Sequence, residues 1–200
     1  MNEFFPLRKE IAVAREVAAE FRRSHPHWVG CDSPLKYVDW ALPETLVKCD
    51  LLLEALSPPI GSRVFEFGPG AGYLLYQLRT RYRCEVAGCD IAERPLYKAV
   101  QSRLGIAGVV DEPVVARKLV ASLRGPYDYL IATQVSWMDA WDQGDLDFFL
   151  TDCRCHLAPY GSLVLFLNPK ACRGVPIDEL FAGHHATPLR LPWLGDGRIL

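Results

Sequence analysis

The sequence has no long apolar run, no excess of basic residues and no signal-peptide pattern at its start. Its apolar stretches fall short of the roughly 18 to 20 residues that cross a bilayer, and MNEFFPLRKE lacks the basic-then-apolar order of a leader. The 22 basic residues are scattered among 24 acidic ones, giving a net charge of -2. Nucleic-acid binders more often carry a basic face. We therefore expect a cytoplasmic protein without a membrane or nucleic-acid partner.

The seven cysteines form no CxxC pair, and their odd number does not suggest a disulfide framework. Cys153, Cys155 and His156 lie close together in sequence. On the helix predicted there, however, the side chains of Cys153 and Cys155 point about 200° apart. We therefore expect no metal site.

Residues 1–59 have the pattern of a helical lid or cap. Apolar residues recur at helical spacing over 7–21 and again from Pro43 to the break at 57–59. Between these helices, the loop 24–42 is rich in aromatic residues, including Trp28 and Tyr37. Such rings more often pack in a core or lid than contact a substrate, so both interpretations remain open.

Residues 60–200 alternate short apolar strands with helices. We predict strands at 63–67, 85–89, 109–116, 127–133 and 162–167, and helices at 73–82, 95–104, 118–123 and 146–157. This alternation predicts an α/β fold with a doubly wound, mostly parallel sheet and helices on both faces. The tail is less regular: with a short helix at 176–181 and a strand at 197–200, the far sheet edge should be minimal.

A glycine-rich turn follows the first predicted strand. Gly68, Gly70 and Gly72 allow a tight turn and a close approach of the backbone to a ligand. The first amides of the next helix point into the same crevice. A ligand would therefore lie at the carboxyl ends of the strands, unless the glycines serve the turn alone.

The acidic residues near this turn favour one kind of ligand. A nicotinamide-binding GxGxxG motif would place its third glycine at Tyr73, and Glu66 suits a cationic ammonium better than a pyrophosphate. Asp90 ends the next strand, where a carboxylate can accept hydrogen bonds from both hydroxyls of a ribose. Glu66 as a cap for the turn amides and Asp90 as a solvated strand end remain alternatives.

Four segments in this order resemble the core of the class I methyltransferases that bind S-adenosylmethionine (SAM). The first two are E-x-G-x-G-x-G after a strand and the acid that ends the next strand. Segment 126–131 is similar to the fourth strand of the family, and 156–165 to its approach to the fifth. The resemblance covers roughly residues 60 to 170. It implies a methyltransferase-like fold with SAM as cofactor.

The resemblance also implies which residues hold the methionine portion of SAM. Glu66 would hold the ammonium group, and Pro69 belongs to the turn beside it. Thr133 or Gln134, after the fourth strand, would lie near the transferable methyl group. The glycines against the methionine portion would be Gly68, Gly70 and Gly72.

At the other end of the cofactor, the resemblance implies that Asp90 takes the ribose and that Ile91 packs against the adenine. Ala116 or Arg117, after the third strand, would lie at the adenine edge. This chain departs from the family where Tyr160 replaces a common glycine, and we expect its tail to be too short for the usual closing hairpin.

The acceptor is less constrained by the sequence. SAM carries an activated methyl group, so no catalytic motif is required, and none is found. Residues 132–137 lack the Asn/Asp-Pro-Pro-Tyr/Phe motif of enzymes that methylate amino groups of DNA bases. We expect a small-molecule acceptor, with Trp28, Tyr37 and Trp137 as candidate contacts. The alternative is a catalytically silent SAM-binding or partner protein, either a homo-oligomer or one covered by another chain at an open sheet edge.

Overall fold

A computed structural model describes residues 8–27, 34–91, 94–192 and 194–200; the candidate contact Trp28 lies outside these ranges. The helices are α1 Lys9–Ser24, α2 Leu42–Leu56, α3 Tyr73–Tyr82, α4 Pro95–Leu104, α5 Gln143–Cys155 and α6 Ile177–Leu180. The strands are β1 Arg63–Phe67, β2 Glu85–Asp90, β3 Val109–Asp111, β4 Tyr127–Thr133, β5 Leu157–Phe166, β6 Thr187–Leu191 and β7 Gly195–Ile199. No helix among the described residues has the length and apolar composition needed to cross a membrane.

The seven strands form one sheet in the order β3-β2-β1-β4-β5-β7-β6. Strands β1 to β5 are parallel, and β7 runs antiparallel to both β5 and β6. The predicted doubly wound, mostly parallel sheet is therefore confirmed. Chain order reverses between β1 and β4, and in such sheets ligands bind outside the carboxyl ends of the strands at this reversal.

Side chains alternate between the two faces of the sheet, and helices cover both faces. Along β1, Val64 packs into one core and Phe65 and Phe67 into the other. Apolar residues of α1 to α4 share the core of Val64, whereas those of α5 share the core of the two phenylalanines. The amino-terminal helices α1 and α2 thus pack on one face of the same sheet.

The tail corrects the prediction of a minimal sheet edge, because β6 and β7 form a closing hairpin. This hairpin was not predicted from the sequence for two reasons. Pro188 weakens the strand pattern of β6, yet a proline is tolerated on an edge strand. Gly197 also weakens the strand pattern of β7. The close packing of β7 against β5 nevertheless requires glycine here, because a Cβ atom would lie 2.8 Å from the Leu165 carbonyl oxygen of β5.

The segment between β3 and β4 is a second correction. The predicted helix at 118–123 is a series of turns, and β3 ends at Asp111 instead of 116. Side chains replace the helical hydrogen bonds: the Glu112 carboxylate accepts from the amides of Ala121 at 2.7 Å and Ser122 at 2.8 Å. A periodicity of apolar residues does not reveal such local capping.

Three boundaries near α5 also differ from prediction, one of them being the end of the helix at Cys155 rather than 157. The helix begins at Gln143 rather than 146, because Asp142 and Asp145 form a reciprocal capping box. The fifth strand begins at Leu157 rather than 162. Tyr160, where the family has glycine, lies in the left-handed region at φ +69° with its side chain fully exposed.

Candidate ligand-binding site

The glycine-rich turn between β1 and α3 has the backbone that only glycine adopts easily. Gly68, Gly70 and Gly72 have φ values of +70°, +54° and +79°. Side chains would also crowd the turn, since a Cβ atom at Gly68 would lie 3.1 Å from Val135 and one at Gly72 would lie 3.1 Å from Gln101. The three glycines thus shape the turn, and Gly72 caps the start of α3.

A cavity of about 490 Å³ opens beside this turn, at the carboxyl ends of β1 and β4. Its volume lies within the range of small-molecule sites. Most of the residues predicted from the sequence line it: Tyr37, Glu66, Gly68, Pro69, Gly70, Asp90, Ile91, Thr133, Gln134 and Trp137. The glycine turn, the two acids and the end of β4 are therefore brought together in one site.

Glu66 is the most unusual group in the cavity wall. Its side chain is buried, and its Oε2 atom has no hydrogen-bond partner among the described residues. Burial, with a smaller contribution from the charge of Asp90, raises the pKa of Glu66 to about 8. A buried acceptor without a partner is costly. A cationic hydrogen-bond donor in the cavity, such as an ammonium group, would supply the missing partner of this oxygen.

Asp90 joins the end of β2 to the glycine turn. Its Oδ2 accepts from the Gly70 amide at 2.9 Å, and its Oδ1 accepts from the Ile91 amide at 2.8 Å. Each carboxylate oxygen can accept a second hydrogen bond. Asp90 is thus held in a fixed orientation at the cavity wall, with acceptor capacity left for a ligand.

Tyr97 and Arg94, from the start of α4, line the same cavity and were not predicted. The Tyr97 hydroxyl is buried and makes no hydrogen bond of ordinary geometry with the described residues. Its ring lies edge-on to that of Tyr37 at 6.4 Å, and the Arg94 guanidinium lies 5.5 Å from the ring centroid. The sequence signal for these two residues was the position of α4 directly after the acidic end of β2, which places the start of α4 beside the ligand site.

Helix α2 forms another unpredicted wall, to which it contributes Thr45, Lys48, Cys49 and Leu52. Their spacing places them on one helical face. Burial raises the pKa of the Cys49 thiol above its ordinary value. The spacing of apolar residues from Pro43 onward predicts the helix, but not that this face lines a ligand site.

A chain of polar contacts crosses the mouth of the cavity. Lys48 Nζ donates to Gln134 Oε1 at 3.1 Å, and Gln134 Nε2 donates to the Leu194 carbonyl at 3.3 Å. Gln134 itself lies in the left-handed region at φ +50°. Glutamine rarely adopts this conformation, and such outliers cluster at functional sites. These contacts link α2, the end of β4 and the turn between β6 and β7.

The aromatic candidates differ in their surroundings. Trp137 is half-buried and packs against Trp141 at 5.0 Å and Phe149 at 5.4 Å, so much of its ring belongs to the core. Tyr37 is 42% exposed. Both reach the cavity, and Tyr37 leaves more of its surface available for a ligand.

Ala116 and Arg117, predicted for the adenine edge, are not brought to the cavity. Arg117 instead donates from Nε to Asp145 Oδ1 at 2.7 Å, beside the cap of α5. The weak third strand led to this prediction, and its early end at Asp111 moves the following residues elsewhere.

Cys153 is buried and Cys155 exposed, as their predicted opposite directions require. Within the described ranges, no group of three or more His, Cys, Asp or Glu side chains is placed to hold a metal ion.

Neither known family models nor curated proteins match this sequence. Solved structures do match. A TehB-like SAM-dependent methyltransferase from Corynebacterium glutamicum is 12% identical with a TM-score of 0.55, the match covering 94% of this chain and 96% of that one. TrmN from Thermus thermophilus is 17% identical with a TM-score of 0.54, covering 94% and 51%. A methyltransferase from Pyrococcus furiosus is 14% identical with a TM-score of 0.53, covering 78% and 80%.

The chain spans about half the length of several other matched structures, including the glycopeptide N-methyltransferase MtfA, of which 52% is covered. At these identities the similarity concerns the fold. With its strand order and glycine-rich turn, this chain has the fold of the class I methyltransferases.

Proposed function

We propose that this protein is a SAM-dependent methyltransferase that acts on a small-molecule acceptor. The observation that carries the proposal is the Oε2 atom of buried Glu66, in the cavity beside the glycine turn, which has no hydrogen-bond partner within the described part of the chain. A dinucleotide pyrophosphate would oppose ionisation of this buried acid, whereas the ammonium group of SAM would favour its carboxylate form and pair with it. The fold that this chain shares with the matched methyltransferases supports the same assignment.

The cavity residues would contact SAM in sequence along its length, from the ammonium group through the ribose to the adenine. Glu66 would hold the ammonium group, and Asp90 would accept from the ribose hydroxyls with its remaining lone pairs. Ile91, which is 38% exposed at the cavity wall, would cover one face of the adenine. When bound, SAM supplies a methyl group already activated on its sulfonium. The chain would bind and orient the two reactants and exclude water.

A small acceptor is favoured because walls beside the cofactor site limit the access of a bulky acceptor to the methyl group. Helix α2 and Tyr37 form walls over the carboxyl edge of the sheet, leaving a cavity instead of an open surface. Of the predicted lid 1–59, helix α2 and Tyr37 would thus cover the site. The near balance of 22 basic and 24 acidic residues favours a cytoplasmic protein that needs neither a nucleic acid nor a membrane.

The alternative of a silent partner protein rested on an open sheet edge, and the hairpin of β6 and β7 removes that reason. Edge strand β6 also carries Pro188 and Arg190, residue types that discourage pairing with another chain.

Calorimetric titration with SAM, S-adenosylhomocysteine (SAH) and NADH tests the proposal. We expect micromolar binding of SAM and SAH and no binding of NADH, followed by methyl transfer when acceptors are screened with radiolabelled SAM. A folded sample that binds neither adenosyl ligand would contradict the proposal and favour the partner protein.

A further inference from the structure

A second cavity of about 530 Å³ adjoins the first. It lies beyond the end of β5, between the turn at 171–174, α6 and the turn between β6 and β7. Gln134 and Leu194 line both cavities. The Gln134 side chain therefore lies at the boundary between the two spaces.

At this boundary, Gln134 Nε2 donates a long hydrogen bond to the Leu194 carbonyl at 3.3 Å. At this length the bond is weaker than one at the usual 2.9 to 3.0 Å. The left-handed backbone of Gln134, held by its amide's hydrogen bond to the Phe166 carbonyl, keeps the carboxamide in place. A ligand group that accepts from Gln134 Nε2 would replace this bond and leave the bond from Lys48 Nζ to Gln134 Oε1 intact.

The wall of the second cavity is mainly apolar. Its apolar side chains include Leu167, Pro169, Val175, Pro176, Ile177 and Leu180.

The charged and amide groups in this wall already have partners. Asn168 donates to the Val135 carbonyl at 2.9 Å and to Asp139 at 2.7 Å. Asp196 forms an ion pair with Arg190 at 2.6 Å. Among the described lining residues, Gln134 is the one with a polar side chain that borders both cavities, and the charged residue Asp196 is already paired.

We propose that the second cavity binds the methyl acceptor, an uncharged and largely apolar small molecule whose nucleophilic group points towards Gln134. This inference rests on the proposed function. The first cavity contains Glu66 and Asp90 and has the volume of a single small-molecule site, so the cofactor would fill it. The second cavity is of similar volume, has Asp196 as the acidic residue among its described lining residues, with that residue already paired, and borders the cofactor site at Gln134 and Leu194. Gln134 is then a positioning residue between the two ligands.

The test uses N-phenyl-1-naphthylamine, an uncharged apolar probe whose fluorescence rises on burial, with the full chain saturated by SAH. We expect one saturable site per chain. Val175 is 41% exposed in the cavity wall, so Val175→Asp should fold and should weaken binding of the probe at least tenfold, because a charge would be desolvated. Val175→Leu should retain binding.

Val115→Asp is the matched control, since Val115 is 46% exposed and lines neither cavity. It should bind the probe like the parent. Circular dichroism of each variant checks that it is folded. The charged analogue 1-anilinonaphthalene-8-sulfonate should bind at least tenfold more weakly than the neutral probe.

Three results would overturn the inference while SAH still binds: no binding of the probe, displacement of the probe by SAH, or an equal effect of the two aspartate substitutions. Failure of SAH to bind would instead overturn the proposed function together with this inference.

Discussion

The Asp90 carboxylate accepts a hydrogen bond from the Gly70 amide at 2.9 Å, which ties the end of β2 to the turn that follows β1. One side chain therefore does two things: it fixes the shape of the glycine turn and presents acceptor oxygens to the cavity. The first role exists without a ligand, and the second is measurable only with one.

Asp90→Ala should affect both roles. We expect the affinity for SAH to fall at least tenfold, because the acceptors for the ribose are lost. The free energy of unfolding of the ligand-free protein should fall by about 1 to 3 kcal/mol, since the amides of Gly70 and Ile91 lose a charged partner. Calorimetry and urea unfolding measure the two effects. Glu85→Ala is the control, because Glu85 is exposed at the opposite end of β2. An unchanged affinity in Asp90→Ala would show that the ribose lies elsewhere.

The raised pKa of Glu66 predicts how stability depends on pH. Burial, with the charge of Asp90, raises this pKa from 4.5 to about 8. Between these values the folded protein retains a proton that the unfolded chain has lost. The stabilisation is thus complete below pH 4.5 and is lost as pH rises through 8. Urea unfolding of the ligand-free protein from pH 5.5 to 9 should show this decline. Glu66→Gln should flatten it and Glu85→Gln should not; equal slopes in the parent and Glu66→Gln would contradict the prediction.

Tyr160 offers a stabilising substitution. Its backbone lies at φ +69°, and its exposed side chain makes no core contact that a substitution would remove. Tyr160→Gly should therefore raise the free energy of unfolding by about 1 kcal/mol, because glycine adopts this conformation without strain. Tyr160→Ala keeps the Cβ atom and should change the free energy of unfolding little. A thermal melt in which the two variants match would place the strain elsewhere.

Gly197 tests the hairpin that closes the sheet. A Cβ atom there would lie 2.8 Å from the Leu165 carbonyl oxygen and 2.7 Å from the Phe166 ring. Gly197→Ala should cost about 1 to 3 kcal/mol of stability, as overpacking does in other cores. At Gly183, a Cβ atom would meet nothing within 4 Å, so Gly183→Ala is the control and should be nearly neutral. Equal melting temperatures for the two variants would show that β7 does not pack against β5 as described.

The centre of the fold was predictable because its signals are local. Strands β1 and β4 and helices α3 and α4 begin and end at the predicted residues. Each is an apolar segment bounded by glycine, proline or charge, and such boundaries act within a few residues. The acidic ends of β1 and β2 were predictable for the same reason.

The remainder depends on contacts between distant segments. The fit of Gly197 against β5 cannot be read from the composition of β7, and the Glu112 carboxylate replaces a helix with side-chain hydrogen bonds. Helical periodicity predicts the helix that carries Thr45 and Cys49, but only packing places these residues on the ligand cavity.

Titration of the parent and Glu66→Gln with SAH and with 5′-methylthioadenosine, which lacks the amino-acid ammonium group, tests the central claim most directly. At pH 7, in buffers of different ionisation enthalpy, SAH should release about one proton on binding the parent, because the ammonium group lowers the raised pKa of Glu66. Glu66→Gln should bind SAH at least tenfold more weakly without releasing the proton, and should bind 5′-methylthioadenosine like the parent. Equal binding of SAH by both proteins, with the same proton release, would contradict the placement of the ammonium at Glu66 and with it the account of the site.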